Sequence, residues 1–564
     1  MNDVQAAKDA LRQIILTAYG QAVSEGALPP GACTAEVEPP RDPTRGDWAS
    51  NFALANAKAI GIAPRDMAEA VARCADLRDS YFSSLEVGGY GFLNARLSDR
   101  WYAAVLRNIT ARGDEYGIAN TRAGKKVMVE FVSANPTGPM TTGNARGGVL
   151  GDSLASILGA VGYDVGREFY LNDAGHQVDL FGKSLEARYL QALGQEAAFP
   201  EDGYHGAYIK DFALAFIERE GEGEGDRLLG IPAEGRRQEL VDFALPQNVA
   251  RMQSDLERYR IHYDTWYAES SLHNSGYIKE TIDYLTQKDA TYDKDGALWF
   301  RATDYGGDKD EVLVKSNGFY TYYAVDIAYH RDKFIERAFD IVIDVWGADH
   351  HGHVLRMKAA MAALGIDPER LRVVLMQMVR FVRDGEAVKM SKRTGQAITL
   401  ADLLDEISVD AARFFFNQRQ ADSHLEFDLG LAVRQDPNNP VYYVQYAHAR
   451  IASLMEKLRE EGFPVPDAQE AQLDLLQKPE ERALIKCLAA YPEELRLAAQ
   501  HLDPSRVNRY VIELAGAFHR FYNAHRIKGA EKQLAEARLL MASCVRQVLR
   551  NALSLLGVST PDHM

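Results

Sequence analysis

The chain has 564 residues, 46% of them hydrophobic and 26% charged, with a formal net charge of −16. This composition belongs to a globular protein of several domains, and it excludes a disordered or fibrous chain. No apolar run approaches the roughly 18 residues that a membrane span needs. Four scattered cysteines (Cys33, Cys74, Cys487 and Cys544) form no C-x-x-C pair, which suits a reducing cytoplasm without disulfides or a zinc knuckle.

The first residues, MNDVQAAKDALRQIILTAYG, combine acidic groups with a helical apolar period, and so predict a helix rather than a secretion signal. Residues 1–112 read as an α+β module: further helices at Phe52–Ile60 and about Pro64–Ala75, then a strand pair over Leu85–Ala95. Nothing in it is catalytic by chemistry. Arg112–Lys126, with Gly113, Gly117 and Gly124, reads as a linker.

Residues 127–434 carry the chemistry. Val127–Val132 is a β-branched apolar run of the kind buried in a parallel sheet. Ser133–Pro139 must leave the sheet, because Pro136 and Pro139 lack backbone donors. Thr141-Thr142-Gly143-Asn144 then opens a helix rich in small residues, and such a helix N-terminus favours an anion. Strands follow at Val165–Leu171, Asp340–Val345 and Val373–Met378, with a polar helical insertion at 196–260 and a hairpin near Asp295-Gly296. Phe319–His330 opens a helix that sets Tyr322 and Asp326 on one face, where a carboxylate beside a phenol suits a guanidinium. Gly347–His353 follows the Asp340 strand, at the end where ligands of such sheets sit. Its three histidines and one aspartate are poorly spaced for tetrahedral ligation, so no metal is expected. About 245 residues beyond the first stretch, Val388–Gly395 reads VKMSKRTG, with two lysines placed to reach phosphates.

Residues 435–564 are predicted all-helical: Val441–Arg459, Ala468–Leu476, Pro479–Leu502, Ser505–Tyr522 and Ala530–Leu556. The overall acidity argues against a general nucleic-acid coat, but residues 505–550 hold 9 Lys and Arg against 3 Asp and Glu. Arg506, Arg509, Tyr510 and Arg526 mix cations with an aromatic ring, as phosphate contacts and base stacking require; a solvated bundle is the plainer alternative.

Taken together, VMVEFVSANPTGPMTTGN and VKMSKRTG resemble the two signatures of class I aminoacyl-tRNA synthetases, HIGH and KMSKS. EFVSANPTGPM, NARGGVLGDSLA and YTYYAVDIAYH resemble the arginyl-tRNA synthetases in particular, as do GDWASNFALANAK, GFLNARL and YVQYAHARI outside the catalytic segment. The resemblance implies an α/β fold: a Rossmann-like parallel-sheet catalytic domain at 127–434, an N-terminal α+β tRNA-contacting domain at 1–112, and an all-α anticodon-binding bundle at 435–564. It implies attachment of arginine to tRNA(Arg) through arginyl-adenylate, with ATP and its Mg2+, in a cytoplasmic monomer. In this family activation awaits bound tRNA. The implied catalytic residues are Lys389, Lys392, Thr141 and Asn144. ATP falls to Thr141, Gly143, Asn144, Gly347, Asp349, His350 and Lys392; arginine to Glu130, Ser133, Asn135, Tyr322 and Asp326; tRNA to Arg506, Arg509, Tyr510 and Arg526. Glu130 and Asp326 are expected to share one cation.

The chain departs from the pattern at HIGH, which reads Thr141-Thr142-Gly143-Asn144 with neither histidine. Many arginyl enzymes with a degraded second motif carry a lysine at the place of Gly138, whereas here Gly138 accompanies an intact KMSK. An alternative is therefore a paralogue that binds arginine or tRNA but adenylates poorly. A different class I synthetase is disfavoured by the acidic pocket and the lack of a zinc motif.

Overall fold

The structure, a computed structural model, describes residues 2–119, 122, 124–221, 225–388 and 398–564. The N-terminal helix Asp3–Ser24 is capped by the Asn2 side chain and buries Leu11, Ile15 and Ala18. It packs with helices Phe52–Ile60 and Pro64–Cys74 over a three-stranded antiparallel sheet, β1 (Trp48–Ser50), β2 (Phe82–Gly88) and β3 (Phe92–Leu97), in the order β1-β3-β2. Helix Asp99–Arg112, which closes the module read at 1–112, also lies against the C-terminal helices: Arg107 Nε donates to the Ala468 carbonyl at 3.1 Å. The segment read as a linker is docked as well, since Asn551 donates to the carbonyls of Gly113 and Tyr116 at 2.9 and 3.2 Å.

The central sheet has five parallel strands: β4 (Lys126–Glu130), β5 (Asp164–Leu171), β6 (Thr265–Ala268), β10 (Ile341–Gly347) and β11 (Leu371–Met376). Their spatial order, β6-β5-β4-β10-β11, runs outward in both directions from β4, as in a doubly wound dinucleotide-type sheet, with the ligand-binding crevice at the carboxyl ends. A separate antiparallel sheet holds β7 (Thr291–Lys294), β8 (Ala297–Phe300) and β9 (Glu311–Val314). Asp295 and Gly296 both take positive φ, giving the tight turn that the Asp-Gly pair predicts. Strands β12 (Val379–Arg383), β13 (Glu386–Ala387) and β14 (Leu425–Asp428) form a third small sheet. The 196–260 segment contributes helices Ala207–Glu220 and Ala233–Arg258, which share their own core with helix His176–Ala192 around Phe181, Tyr189 and Phe216.

Helix Thr142–Ala160 follows β4 and crosses it closely enough to require glycine. A Cβ on Gly151 would lie 2.1 Å from the Phe131 ring, whereas one on Gly159 would meet nothing within 4 Å. The same helix anchors the C-terminal bundle. Asp152 pairs with the fully buried Arg413, whose guanidinium also donates to the carbonyls of Leu556 at 2.8 Å and Tyr259 at 3.0 Å. The bundle comprises helices Pro440–Glu460, Pro479–His501, Ser505–Ala524 and Lys532–Leu555. Ala468–Leu476 is not the predicted helix but a coil with one 3-10 turn at Leu473–Leu475, whose apolar side chains cover helix Asp99–Arg112. Among the described residues no helix is long and apolar enough to cross a membrane, and the four cysteines are free.

A row of carboxylates sits beneath the crevice. Asp344 on β10, Glu130 on β4 and Glu168 on β5 stand opposite one another in the parallel registers, at 0%, 7% and 1% exposure. One segment compensates all three. Lys333 Nζ reaches Glu130 at 2.5 Å and Asp344 at 3.0 Å, His330 Nε2 reaches Asp344 at 2.8 Å, the Tyr329 hydroxyl donates to Glu168 at 2.5 Å, and Arg337 forks onto Glu168. Burial opposes ionisation of Asp344, yet Lys333 and His330 prevail and hold its carboxyl at about 2. Burial together with the neighbouring Asp344 charge pushes the Glu130 carboxyl up in spite of Lys333, so Glu130 is the easier of the pair to protonate.

Removing one member of a buried ion cluster strands the others. Lys333→Met is expected to cost about 3–5 kcal/mol, read as a lowered unfolding midpoint of the catalytic domain; an unchanged midpoint would refute the role given to Lys333. Gly151→Ala should lower the thermal midpoint by about 1–3 kcal/mol in stability through overpacking, while Gly159→Ala should raise it by about 0.5–1 kcal/mol. Equal effects at the two glycines would contradict the close crossing over Phe131.

Candidate active site

β4 ends in strained backbone. Val132 and Ser133 have φ of +71° and +41°, unfavourable for any L residue and most of all for a β-branched valine. The turn is locked by Ser133, whose hydroxyl donates to Glu130 at 2.8 Å and accepts from the Tyr170 backbone at 3.2 Å. The chain then runs through the proline loop to Thr141, the N-cap of helix Thr142–Ala160. Thr141 and Asn144 form a capping box: the Asn144 oxygen accepts from the Thr141 N–H at 2.8 Å, and the Asn144 N–H donates to the Thr141 hydroxyl at 3.5 Å. The segment that stands where HIGH would be thus supplies a structured helix N-terminus without histidine. The Asn144 amide nitrogen makes no hydrogen bond among the described residues.

This helix end forms one wall of a cleft of about 1150 Å³ at the carboxyl ends of the strands. Of the residues expected to meet ATP, Thr141, Gly143, Gly347 and Asp349 line it; Asn144 stands beside it in the cap and His350 is exposed next to Asp349. The Asp349 carboxylate folds back on the Gly347 Cα, where a Cβ would lie 2.3 Å from its oxygen. Met376, Met378 and Phe381 give the cleft an apolar floor suited to a flat base. Arg146, wholly buried, holds that floor by donating to the carbonyls of Gln377 at 2.6 Å and Gln420 at 2.9 Å, and burial lowers its guanidinium to about 10. Lys389 and Lys392 lie outside the described residues. Val388 and Ile398, which flank that stretch, both line the cleft, and Leu400 donates to the Met140 carbonyl at 2.9 Å beside the Thr141–Thr399 bridge.

The residues expected to hold arginine lie off the cleft wall. Tyr322 and Asp326 occupy the first turns of helix Tyr322–Arg331, the ring 58% exposed, and Asp326 is half-buried against His353, whose Nε2 lies 3.0 Å from its carboxylate. His353 in turn packs on Trp346 at 5.4 Å, the residue that precedes Gly347. Asn135 is exposed at the mouth of the proline loop. Glu130 requires a correction. The reading of Glu130 and Asp326 as sharing one substrate cation leaves out Lys333: Glu130 accepts from Lys333 Nζ on one oxygen and from the Ser133 hydroxyl on the other. Lys333 and His330 carry this arrangement with His353; Lys333 was not singled out from the sequence, and His353 was weighed there only as a metal ligand.

On the bundle, Arg526 is exposed, Arg506 is paired with Glu494 at 3.0 Å, and Arg509 lies 3.4 Å from Asp503. Tyr510 requires the second correction: it is 4% exposed and its hydroxyl donates to the Cys487 carbonyl, so it packs the bundle interior rather than stacking on a base. The open aromatic surface lies elsewhere. Tyr442 and Tyr446 stack at 6.1 Å with 6° between planes, and Arg450 covers Tyr522 at 4.2 Å and Tyr446 at 5.7 Å. The i, i+4, i+8 spacing of Tyr442, Tyr446 and Arg450 was readable in the sequence.

Three family models match the chain: the arginyl tRNA synthetase N terminal domain over residues 5–97, the class I (R) tRNA synthetase catalytic domain over 105–429, and the DALR anticodon binding domain over 444–564. Relatives named arginine--tRNA ligase include those of Caldanaerobacter subterraneus, 51% identical over 564 residues and all of both chains, and Acetivibrio thermocellus, 49% identical over all of both chains. The solved arginyl-tRNA synthetase of Thermus thermophilus shares the fold, with a TM-score of 0.72 at 23% identity over 98% of this chain and all of that one. With a catalytic match spanning more than half of its residues and full-length relatives near 50% identity, the chain belongs to the arginyl-tRNA synthetases of class I.

Proposed function

We propose that the chain is an arginine--tRNA ligase that joins arginine to tRNA(Arg) through arginyl-adenylate, acting as a cytoplasmic monomer built from domains 1–112, 127–434 and 435–564. The observation that carries this reading is one cleft lined by the Thr141–Gly143 helix end, Gly347–Asp349 and both flanks of the lysine segment. In the first step a carboxylate oxygen of arginine attacks the α-phosphorus of ATP, and the bond to the leaving pyrophosphate breaks. In the second, a hydroxyl of the terminal tRNA ribose attacks the arginyl carbonyl and AMP departs. Neither step requires a protein nucleophile; orientation and stabilisation of phosphate charge suffice.

The helix N-terminus at Thr141 and Gly143, with the amide nitrogen of Asn144, receives phosphate oxygens. Lys389 and Lys392 neutralise charge on the triphosphate, to which Mg2+ is bound on arrival. Gly347, Asp349 and His350 border the adenosine. Asp326 accepts the guanidinium with Tyr322 beside it, while Ser133 and Asn135 border the rest of the amino acid and Glu130 acts behind them through Ser133. A neutral side chain would leave Asp326 partly desolvated without a cation, which selects for arginine. The stacked Tyr442–Tyr446 pair and Arg450, with the exposed Arg526, suit unstacked bases and phosphates of tRNA. Arg506 and Arg509 reach phosphate only by leaving their carboxylate partners.

The purified protein should charge total tRNA with labelled arginine in the presence of ATP and Mg2+. Binding of tRNA without charging would instead favour a catalytically weak paralogue. Asp326→Asn should raise KM for arginine roughly a hundredfold with KM for ATP unchanged; equal effects on the two would remove Asp326 from the guanidinium site. Tyr446→Ala should weaken tRNA binding about tenfold, as loss of one stacked base does, whereas Tyr510→Phe should leave it unchanged. The reverse ranking would return the tRNA face to Tyr510.

A further inference from the structure

The loop between β4 and the helix N-terminus is held largely by side chains from elsewhere in the chain. Pro136 and Pro139 lack N–H groups, and the carbonyls of Pro136, Thr137 and Gly138 accept no backbone hydrogen bond among the described residues. A buried carbonyl without a partner is costly, and Pro136 and Thr137 are both buried. All three successive carbonyls are taken by side chains of the 196–260 insertion. Asn248 donates from Nδ2 to Pro136 at 2.8 Å and to Gly138 at 3.2 Å, and the Tyr208 hydroxyl donates to Thr137 at 2.8 Å. Asn248 is wholly buried and lies more than a hundred residues downstream of the loop. Among the described residues its oxygen has no partner, so it is the amide donors that are used, and both go to this loop. Tyr208 also fills the space above Gly138, where a Cβ would come within 2.9 Å of its oxygen.

We infer that Asn248 and Tyr208 are positioning residues for the aminoacylation reaction: the insertion sets the conformation of the loop that carries Ser133 and Asn135 at one end and Thr141 at the other. The inference rests on the function proposed above and extends it to a segment in which the sequence shows no chemistry. The reason is geometric. Ser133 and Asn135 border arginine and Thr141 caps the helix that receives ATP, so a loop free to move would misplace both substrates at once. Misplacement by an ångström can cost orders of magnitude in rate. Neither side chain touches a substrate; each acts through the backbone oxygens that it fixes.

The test compares Tyr208→Phe, which removes a single hydroxyl, and Asn248→Ala with the parent chain in steady-state charging of tRNA(Arg). Loss of folded enzyme would lower kcat alone. Loop misplacement is expected to lower kcat and also to raise KM for arginine and for ATP, by roughly tenfold in Asn248→Ala and less in Tyr208→Phe, with KM for tRNA unchanged. Amide exchange over residues 134–141, followed by mass spectrometry, should quicken in both variants while exchange in β4 and helix Thr142–Ala160 stays as it was. Parental KM values and parental exchange in both variants would overturn the inference. If the parent chain itself does not charge tRNA, the proposed function fails, and the exchange comparison still decides whether the insertion holds the loop.

Discussion

Three acidic side chains standing in register on adjacent parallel strands are the constraint around which the catalytic domain is arranged. Asp344, Glu130 and Glu168 are almost wholly buried, and their mutual repulsion in a poorly screened interior would force protonation or separation of the strands. The segment Tyr329–Arg337 resolves this with one lysine, one arginine, one histidine and one phenol. Because this segment continues helix Tyr322–Arg331, neutralising the sheet also sets the height and rotation of Tyr322 and Asp326 above it. Lys333 therefore links the stability of the sheet to the placement of Tyr322 and Asp326. Asp326 stands apart from this row, half-buried, with His353 Nε2 3.0 Å from its carboxylate.

The helix that follows β4 serves both the site and the assembly. Its N-terminus opens on the cleft, its glycines allow it to press on Phe131, and its Asp152 holds Arg413 and through it the C-cap of the last helix at Leu556. The absence of both HIGH histidines does not leave this end disordered, since Thr141 and Asn144 close a reciprocal cap. What the cap preserves is the electrostatic function of a helix N-terminus; what it lacks is an imidazole.

Much of the architecture could be read from the residues. Phe52–Ile60 agrees to the residue with its apolar pattern, and Pro479–Leu502 and Ser505–Tyr522 are displaced by no more than two residues at either end. Ala468–Leu476 misled because its apolar residues recur at helical spacing while serving only to cover a neighbouring helix. Glu130 and Tyr510 show a different limit. Both are chemically suited to the roles expected of them, and both are withdrawn by partners far away in the chain, Lys333 at 203 residues and Cys487 at 23. No local pattern announces such a partner.

By itself, then, the sequence determined the periodicities, the caps, the strand–loop–helix corner and the two motifs that resemble class I signatures, because each depends on side chains within a few positions of one another. Tertiary structure alone decided which carboxylates are paired within the protein, which aromatic surface is open, and that the insertion grips the proline loop. Those outcomes depend on burial and on partners that only the folded chain brings together, where desolvation makes the pairing of each charge and each carbonyl decisive.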